Sequence, residues 1–95
     1  MPETVLFKSE STQTRAEIAT YLRSVAEKLD AGDSITLAAG SQSQTLEPPA
    51  RLTFEVKAER EGPETGTGEL SVEFELEWDE GGEDASGEPS GLEIR

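Results

Sequence analysis

The sequence contains neither cysteine nor histidine, and each absence removes a class of chemistry. Without cysteine, the chain cannot form a disulfide framework or a thiolate metal site. Without histidine, it lacks the commonest general base and transition-metal ligand. The serine and threonine hydroxyls therefore have no histidine to activate them, and no lysine is a convincing substitute. A nucleophilic triad within this chain is excluded.

Basic residues are scarce, with 8 Lys and Arg against 21 Asp and Glu in 95 residues, which gives a formal net charge of −13. Too few cations are available to neutralise phosphate, so we expect no nucleic-acid partner and no anionic membrane partner. At low salt these charges repel one another and oppose the compact state, whereas concentrated salt screens them. We interpret the chain as halophilic; an ordinary acidic mesophile protein is the alternative.

Long apolar runs are also missing. No N-terminal stretch resembles a signal peptide, and no run approaches the ~20 residues that a membrane span needs. Hydrophobic residues make up 33% of the chain, so a core is possible but lean. We expect a soluble, cytoplasmic protein with one small domain.

One amphipathic helix is clearly signalled. Thr14 and Glu17 form a capping-box pattern at its start, although Ser11 and Thr12 are competing caps. Gly32 is able to adopt the left-handed conformation that often follows the last turn of a helix. Apolar residues recur between these ends at helical spacing. They are Ile18, Leu22, Val25 and Leu29, with Ala19, Tyr21 and Ala26 beside them.

Short or alternating apolar segments, separated by Gly, Pro and polar residues, predict five strands. They cover residues 4–8, 34–39, 42–47, 51–61 and 68–80. The first of them, centred on Val5, Leu6 and Phe7, is apolar at three successive positions. That pattern favours burial on both faces or cover by a partner.

The last strand carries the chain's only tryptophan and alternates most strictly. Its apolar positions are Leu70, Val72, Phe74, Leu76 and Trp78, and the acids between them include Glu69, Glu73, Glu75, Glu77 and Asp79. Because side chains alternate across a strand, this predicts one face under the helix and one acidic face in water.

The acidic row is a candidate cation site. Carboxylates at alternate positions lie about 7 Å apart, twice the rise per residue. That spacing suits weakly held hydrated cations and does not converge the six to eight oxygens that calcium prefers. We therefore expect no metal site and interpret the row as a solvated, salt-adapted face. Lys57 and Arg60 are expected to moderate its repulsion by cross-strand pairing.

Residues 81–95 are mainly Gly, Ser, Glu and Asp. Such a segment buries too little surface to offset its ordering entropy, so we predict a disordered acidic tail. Residues 1–80 then form a single domain of the α+β class. Its element order is β-α-β-β-β-β, with one helix packed on one face of a largely antiparallel sheet of about five strands.

The order of these features resembles the amphi-Trp domain family. The resemblance covers residues 4–80 and rests on the opening segment 5–10, the amphipathic segment 16–29 and the closing segment 74–78. That family comprises small prokaryotic proteins that are frequent in halophilic archaea. The resemblance therefore implies an archaeal, halophilic origin. It implies no established activity and no catalytic residues, and only Trp78 and the helix carry over.

The sequence leaves three functions open. The first is a non-enzymatic interaction module whose first strand or open sheet edge pairs with a protein partner, including a second copy. The alternative is binding of a small molecule or cation in a pocket between helix and sheet near Trp78 and Tyr21. Because Trp78 is in phase with the apolar row of the last strand, we interpret it as a residue that closes the core, in preference to one that stacks on a ligand. We interpret Tyr21 as a residue that packs between helix and sheet. An enzyme is least favoured, and we expect neither catalytic residues nor a cofactor.

Overall fold

The computed structural model describes residues 3–80 and 92–94. The described chain contains one helix and four strands. They are α1 (Arg15–Ala31), β1 (Ile35–Ala39), β2 (Gln42–Leu46), β3 (Thr53–Glu61) and β4 (Glu69–Glu77). The predicted α+β class is thus confirmed. The predicted tail falls mostly at 81–91 and 95, outside the described residues.

Helix α1 begins and ends where its capping residues predict. The Glu17 amide donates to the Thr14 hydroxyl at 3.1 Å, and the Thr14 amide donates to the Glu17 carboxylate at 3.2 Å. These reciprocal bonds satisfy amides that no helical carbonyl can reach. At the other end Gly32 takes a left-handed conformation with φ of 72°, and its amide donates to the Leu29 carbonyl at 3.2 Å. Thr14, and neither Ser11 nor Thr12, is therefore the N-cap.

Strands β1 and β2 form a short antiparallel hairpin. Gly40, with φ of 58°, lies in the tight turn between them. Ile35 lies opposite Leu46, and the more buried residues alternate along both strands. On the other face the hydroxyls of Thr36 and Thr45 are 2.9 Å apart and share a hydrogen bond.

Strands β3 and β4 form a longer antiparallel hairpin, which pairs Thr53 with Glu77 at one end and Glu61 with Glu69 at the other. Two glycines allow the chain to close at the turn end. A Cβ on Gly62 would lie 2.7 Å from Cα of Gly68, too close for any other residue without a backbone shift. The register places the two apolar rows on one face and the acidic residues on the other. The predicted alternation is confirmed.

The first predicted strand is wrong, because residues 4–8 form no strand in the structure. A strand needs a neighbour that matches its row of amides and carbonyls. At Lys8 the carbonyl instead accepts a hydrogen bond from the side-chain amide of Gln42 at 3.3 Å. Three successive apolar residues indicate a preference for extended backbone, but they do not indicate which strand would pair with it.

The single five-stranded sheet is not confirmed. The described strands form two separate two-stranded sheets, β1–β2 and β3–β4. Residues Pro48 and Pro49 lie in the segment between β2 and β3. Proline fixes φ, has no amide hydrogen and biases the residue before it toward extended backbone, so two successive prolines favour an extended connection here. The chain divides into two units, Met1–Pro48 with α1 and the first hairpin, and Pro49–Arg95 with the second.

The predicted buried core is not present among residues 3–80 and 92–94, because no residue there is buried. On α1, Ile18 is 46% exposed and Leu22 is 51% exposed. On the second hairpin, Val72 is 60% exposed. A two-stranded sheet is too narrow to enclose its own side chains, so each amphipathic element presents its apolar face to its surroundings.

Candidate functional site

The β3–β4 hairpin gathers seven glutamates on one face. Its pairing brings the acidic rows of two strands together. The face comprises Glu55, Glu59, Glu61, Glu69, Glu73, Glu75 and Glu77, with Lys57 as its one base. All of these side chains are exposed. Water and salt can therefore reach the whole face, as the sequence predicted for a solvated acidic surface.

Three carboxylates converge near the open end of this face. Glu55 lies directly opposite Glu75 across the two strands, and Glu77 is the next residue along β4 on the same face. One oxygen from each of the three lies within 4.8 Å of the others. Hydrogen bonding with Glu77, and the negative charge of that residue, raise the pKa of Glu75 above its ordinary value.

The three-carboxylate group has the donor type that a hydrated cation prefers. It offers three carboxylates from exposed side chains, with one oxygen from each brought close together. Calcium sites in proteins use six to eight converging oxygens. The arrangement can therefore attract cations electrostatically, and its chemistry does not specify a particular metal.

The pairing of Glu55 with Glu75 is the feature that sequence reasoning missed. Glu75 was correctly assigned to the wet face, but its position opposite Glu55 depends on the register of the hairpin. The seven-residue connection 62–68, with its closely approaching Gly62 and Gly68, fixes that register. The spacing of these two glycines was the one signal in the sequence from which the opposition could have been inferred.

Lys57 moderates the repulsion on this face in two ways: it lies directly across the hairpin from Glu73, as predicted, and it forms an ion pair along its own strand. Its ammonium nitrogen lies 3.1 Å from a carboxylate oxygen of Glu59, two residues further along the same strand. The hydrogen bond to Glu59, together with the charges of Glu59 and of Glu73 across the hairpin, raises the pKa of Lys57. Both partners are exposed, so the ion pair contributes little stability.

Arg60 does not moderate the acidic face, and that prediction is wrong. It is an even-numbered residue of β3 and lies on the apolar face, where it is paired with Leu70. Its guanidinium donates to the carbonyl of Pro63 at 2.9 Å and to that of Gly66 at 3.3 Å. Arg60 therefore holds the connection between the strands in place.

The apolar face of the same hairpin is the second candidate surface. Phe54 and Phe74 stack on it, with ring centroids 6.2 Å apart and planes 7° from parallel. Both rings remain about half exposed, at 44% and 48%. Leu70, at the turn end, is 79% exposed. The aromatic side chains of this face therefore pack against each other and still leave apolar surface exposed to solvent.

The two residues predicted to contact a ligand or partner lie in different units of the chain. Trp78 follows directly after the last residue of β4 and is half-buried, in phase with the apolar row. Tyr21 lies on α1 and is 61% exposed. The phase of Trp78 agrees with the sequence pattern.

Within the described residues, no helix is both long and apolar enough to cross a bilayer. The elements and surfaces together define a small acidic α+β protein built from one amphipathic helix and amphipathic hairpins. Its only tryptophan closes the last apolar row.

Comparison with known proteins agrees with this class. The model of the Amphi-Trp domain family matches residues 1–95, the whole chain. The protein therefore belongs to the Amphi-Trp domain family, a family of unknown function, and the resemblance drawn from the sequence is confirmed. No curated protein and no solved structure matches the chain.

Proposed function

We propose that this protein is a small, soluble, non-enzymatic interaction module of the cytoplasm, adapted to concentrated salt. The observation that carries the proposal is the exposure of apolar side chains on both amphipathic elements. On α1, Leu22 is 51% exposed, and on β4, Val72 is 60% exposed. Contiguous exposed apolar surface, bordered by charge, is typical of protein–protein contact sites.

The absence of an enzymatic role is supported by composition. The chain has no histidine and no cysteine, so its candidate acid–base groups are carboxylates. Catalysis by paired carboxylates needs a pocket that separates their pKa values. The carboxylates of the acidic face are exposed instead, which favours a role in solvation.

The salt adaptation is supported by the acidic face of the second hairpin. Opposed carboxylates such as Glu55 and Glu75 repel one another least when ions screen them. Hydrated cations then gather weakly along this face without a fixed coordination site. The same ions permit two copies of a chain with a net charge of −13 to approach one another.

A second copy is the simplest partner to test. We expect the mass measured by sedimentation equilibrium in molar salt to rise with protein concentration. The Val72→Asp variant places a charge on the apolar face of β4 and should remain monomeric. Its matched control, Ser71→Asp, adds the same charge to the neighbouring position on the opposite face and should associate like the wild type. A monomeric wild-type mass at every concentration would remove self-association from the proposal.

The alternative function is the binding of a small molecule or cation near Trp78 and Tyr21. It is supported by the half-buried state of the indole, which leaves part of the ring available for contact. Trp78 is the chain's only tryptophan, so its fluorescence reports on this region alone. Titration with divalent ions and a panel of metabolites should shift the emission if this function is correct. An unchanged spectrum with every compound would count against it.

A further inference from the structure

Within the described residues, no strand pairs with the second edge of β4. Strand β4 pairs with β3 on one side, and the two form a sheet of two strands in the part of the chain that the structure describes. Its nine residues extend over roughly 30 Å at about 3.3 Å per residue. A strand edge of this kind is a template for backbone pairing with another chain.

The side chains of β4 are acidic on one face of the sheet and apolar on the other. On one face β4 carries Glu69, Glu73, Glu75 and Glu77, and it has no basic residue. On the other face it carries Leu70, Val72, Phe74 and Leu76. The opposite edge of the hairpin, along β3, includes Lys57 and Arg60 and therefore has a different charge character.

We propose that the β4 edge accepts an extended peptide segment in which Lys or Arg alternates with apolar residues, as a third strand of this sheet. The proposal rests on the interaction role put forward above and specifies the chemistry of the partner. Strand addition of this type uses backbone hydrogen bonds for affinity and the alternate side chains for selectivity. The bases of the segment lie beside the acids of β4, and its apolar residues extend the face around Phe74.

Charge complementarity selects this occupant over a second copy at the same edge. Pairing β4 with β4 of another molecule would set two rows of glutamates side by side, which is unfavourable for directly opposed residues. A basic segment instead places positive charges beside the glutamates. The attraction is needed most where Glu55, Glu75 and Glu77 bring oxygens within 4.8 Å of one another. A cation next to Glu75 reduces the repulsion within that group.

The acids of β4 thus have two effects on pairing. They oppose the addition of acidic strands, as charged residues on exposed edges commonly do. They also favour strands with the opposite charge and the same period of two. Self-association through the apolar face of the hairpin uses a different surface and does not require this edge.

The test uses the full chain labelled for NMR, in the lowest salt at which circular dichroism shows its structure intact. The probe is a nine-residue peptide that alternates Lys and Val. A second peptide has the same composition with the Lys and Val residues in separate blocks, and a third alternates Glu and Val. We expect the alternating basic peptide to bind at least ~10-fold more tightly than the block peptide, since several cross-strand pairs contribute together. The largest changes in the protein's amide chemical shifts on adding this peptide should occur at residues 69–77.

Two variants locate the interaction. Glu75→Lys should weaken binding of the alternating basic peptide by ~10-fold, because one attraction becomes a repulsion. Glu27→Lys makes the same change of net charge on α1 and should bind like the wild type. Glu75→Gln provides a milder replacement should the lysine variant lose its native spectrum, and it should weaken binding in the same direction.

Three results would overturn the proposal. They are equal affinity for the alternating and block peptides, amide shifts centred away from β4, and an equal loss of affinity in Glu27→Lys and Glu75→Lys. Failure to bind any peptide would also reject it. The mass of the protein alone, measured in molar salt, decides self-association separately, so failure at this edge is distinguishable from failure of the interaction role.

Discussion

Phe54 and Phe74 stack with their ring planes 7° apart, although they are not directly opposite one another in the hairpin. Phe54 is paired with Leu76, and Phe74 is paired with Val56. The aromatic contact is therefore diagonal, and it connects two neighbouring cross-strand pairs. Diagonal neighbours are within reach of large side chains on one face of a sheet, so this contact links β3 to β4 beyond their backbone ladder.

The stacked pair should stabilise the second hairpin measurably. We expect a double-mutant cycle with Phe54→Ala and Phe74→Ala to give a coupling of ~0.5–1.5 kcal/mol, the range for aromatic pairs beyond their area burial. The half-exposed state of both rings favours the lower part of that range. Urea unfolding of the wild type, the two single variants and the double variant in constant molar salt provides the four free energies.

The matched cycle replaces Phe54 and Val72, which lie on the same face without being adjacent pairs. Their effects should add to within ~0.5 kcal/mol. A coupling between the two phenylalanines no larger than this control would show that the stack contributes nothing to stability.

The capping box of α1 provides a second prediction. Thr14→Ala removes the hydroxyl that accepts from the Glu17 amide and should lower the free energy of unfolding by ~1 kcal/mol. Thr12→Ala is the matched control, because the same substitution two residues earlier removes no cap. Its effect should stay within ~0.5 kcal/mol. Thermal unfolding followed by helical circular dichroism measures both, and equal losses would contradict the assignment of Thr14 as the cap.

Local structure was predictable wherever a residue acts on its immediate neighbours. Thr14, Glu17 and Gly32 determine the ends of α1 through bonds to residues three or four positions away. The alternation around Phe74 likewise determines which side chains share a face.

Pairing between distant segments was not predictable in the same way. The segment at Val5–Phe7 has the composition of a strand but forms none in the structure, and composition does not reveal a pairing partner. Arg60 was assigned by its charge, whereas its even position in β3 determined its face. The convergence of Glu55 and Glu75 required the register, which depends on the geometry of the connection 62–68.

Glu75 should make the stability of the hairpin depend on pH. Its pKa is raised in the folded state by Glu77, so the folded protein holds this proton more tightly than the unfolded chain does. The resulting stabilisation is fully present below the unfolded pKa and is lost as the pH rises through the higher folded pKa. Stability should therefore fall as the pH increases across this acidic window.

The Glu75→Gln variant isolates this contribution, because glutamine cannot ionise. We expect the difference in stability between Glu75→Gln and the wild type to increase as the pH rises from below the unfolded pKa of Glu75 to neutrality. Glu27→Gln removes one charge from α1 and corrects for the change in net charge. Urea unfolding at a series of pH values in constant salt provides the comparison. A difference that is independent of pH would exclude the Glu75–Glu77 interaction as its source.

Salt should determine whether the whole chain remains structured. A net charge of −13 on 95 residues produces repulsion at every acidic surface, and the second hairpin concentrates it where Glu55 opposes Glu75. Screening lengths change from ~3 Å in molar salt to ~30 Å in ~10 mM salt. Repulsion between neighbouring carboxylates is thus strongly screened in molar salt and almost unscreened at the lower concentration.

We expect circular dichroism to show loss of helix and strand as salt is removed, and recovery when it is restored. Glu75→Lys should shift the midpoint to lower salt more than Glu27→Lys, because both change the net charge equally and only the first relieves the opposed carboxylates. A spectrum unchanged between the two salt conditions would contradict the halophilic interpretation, since the same charges would then be tolerated without screening.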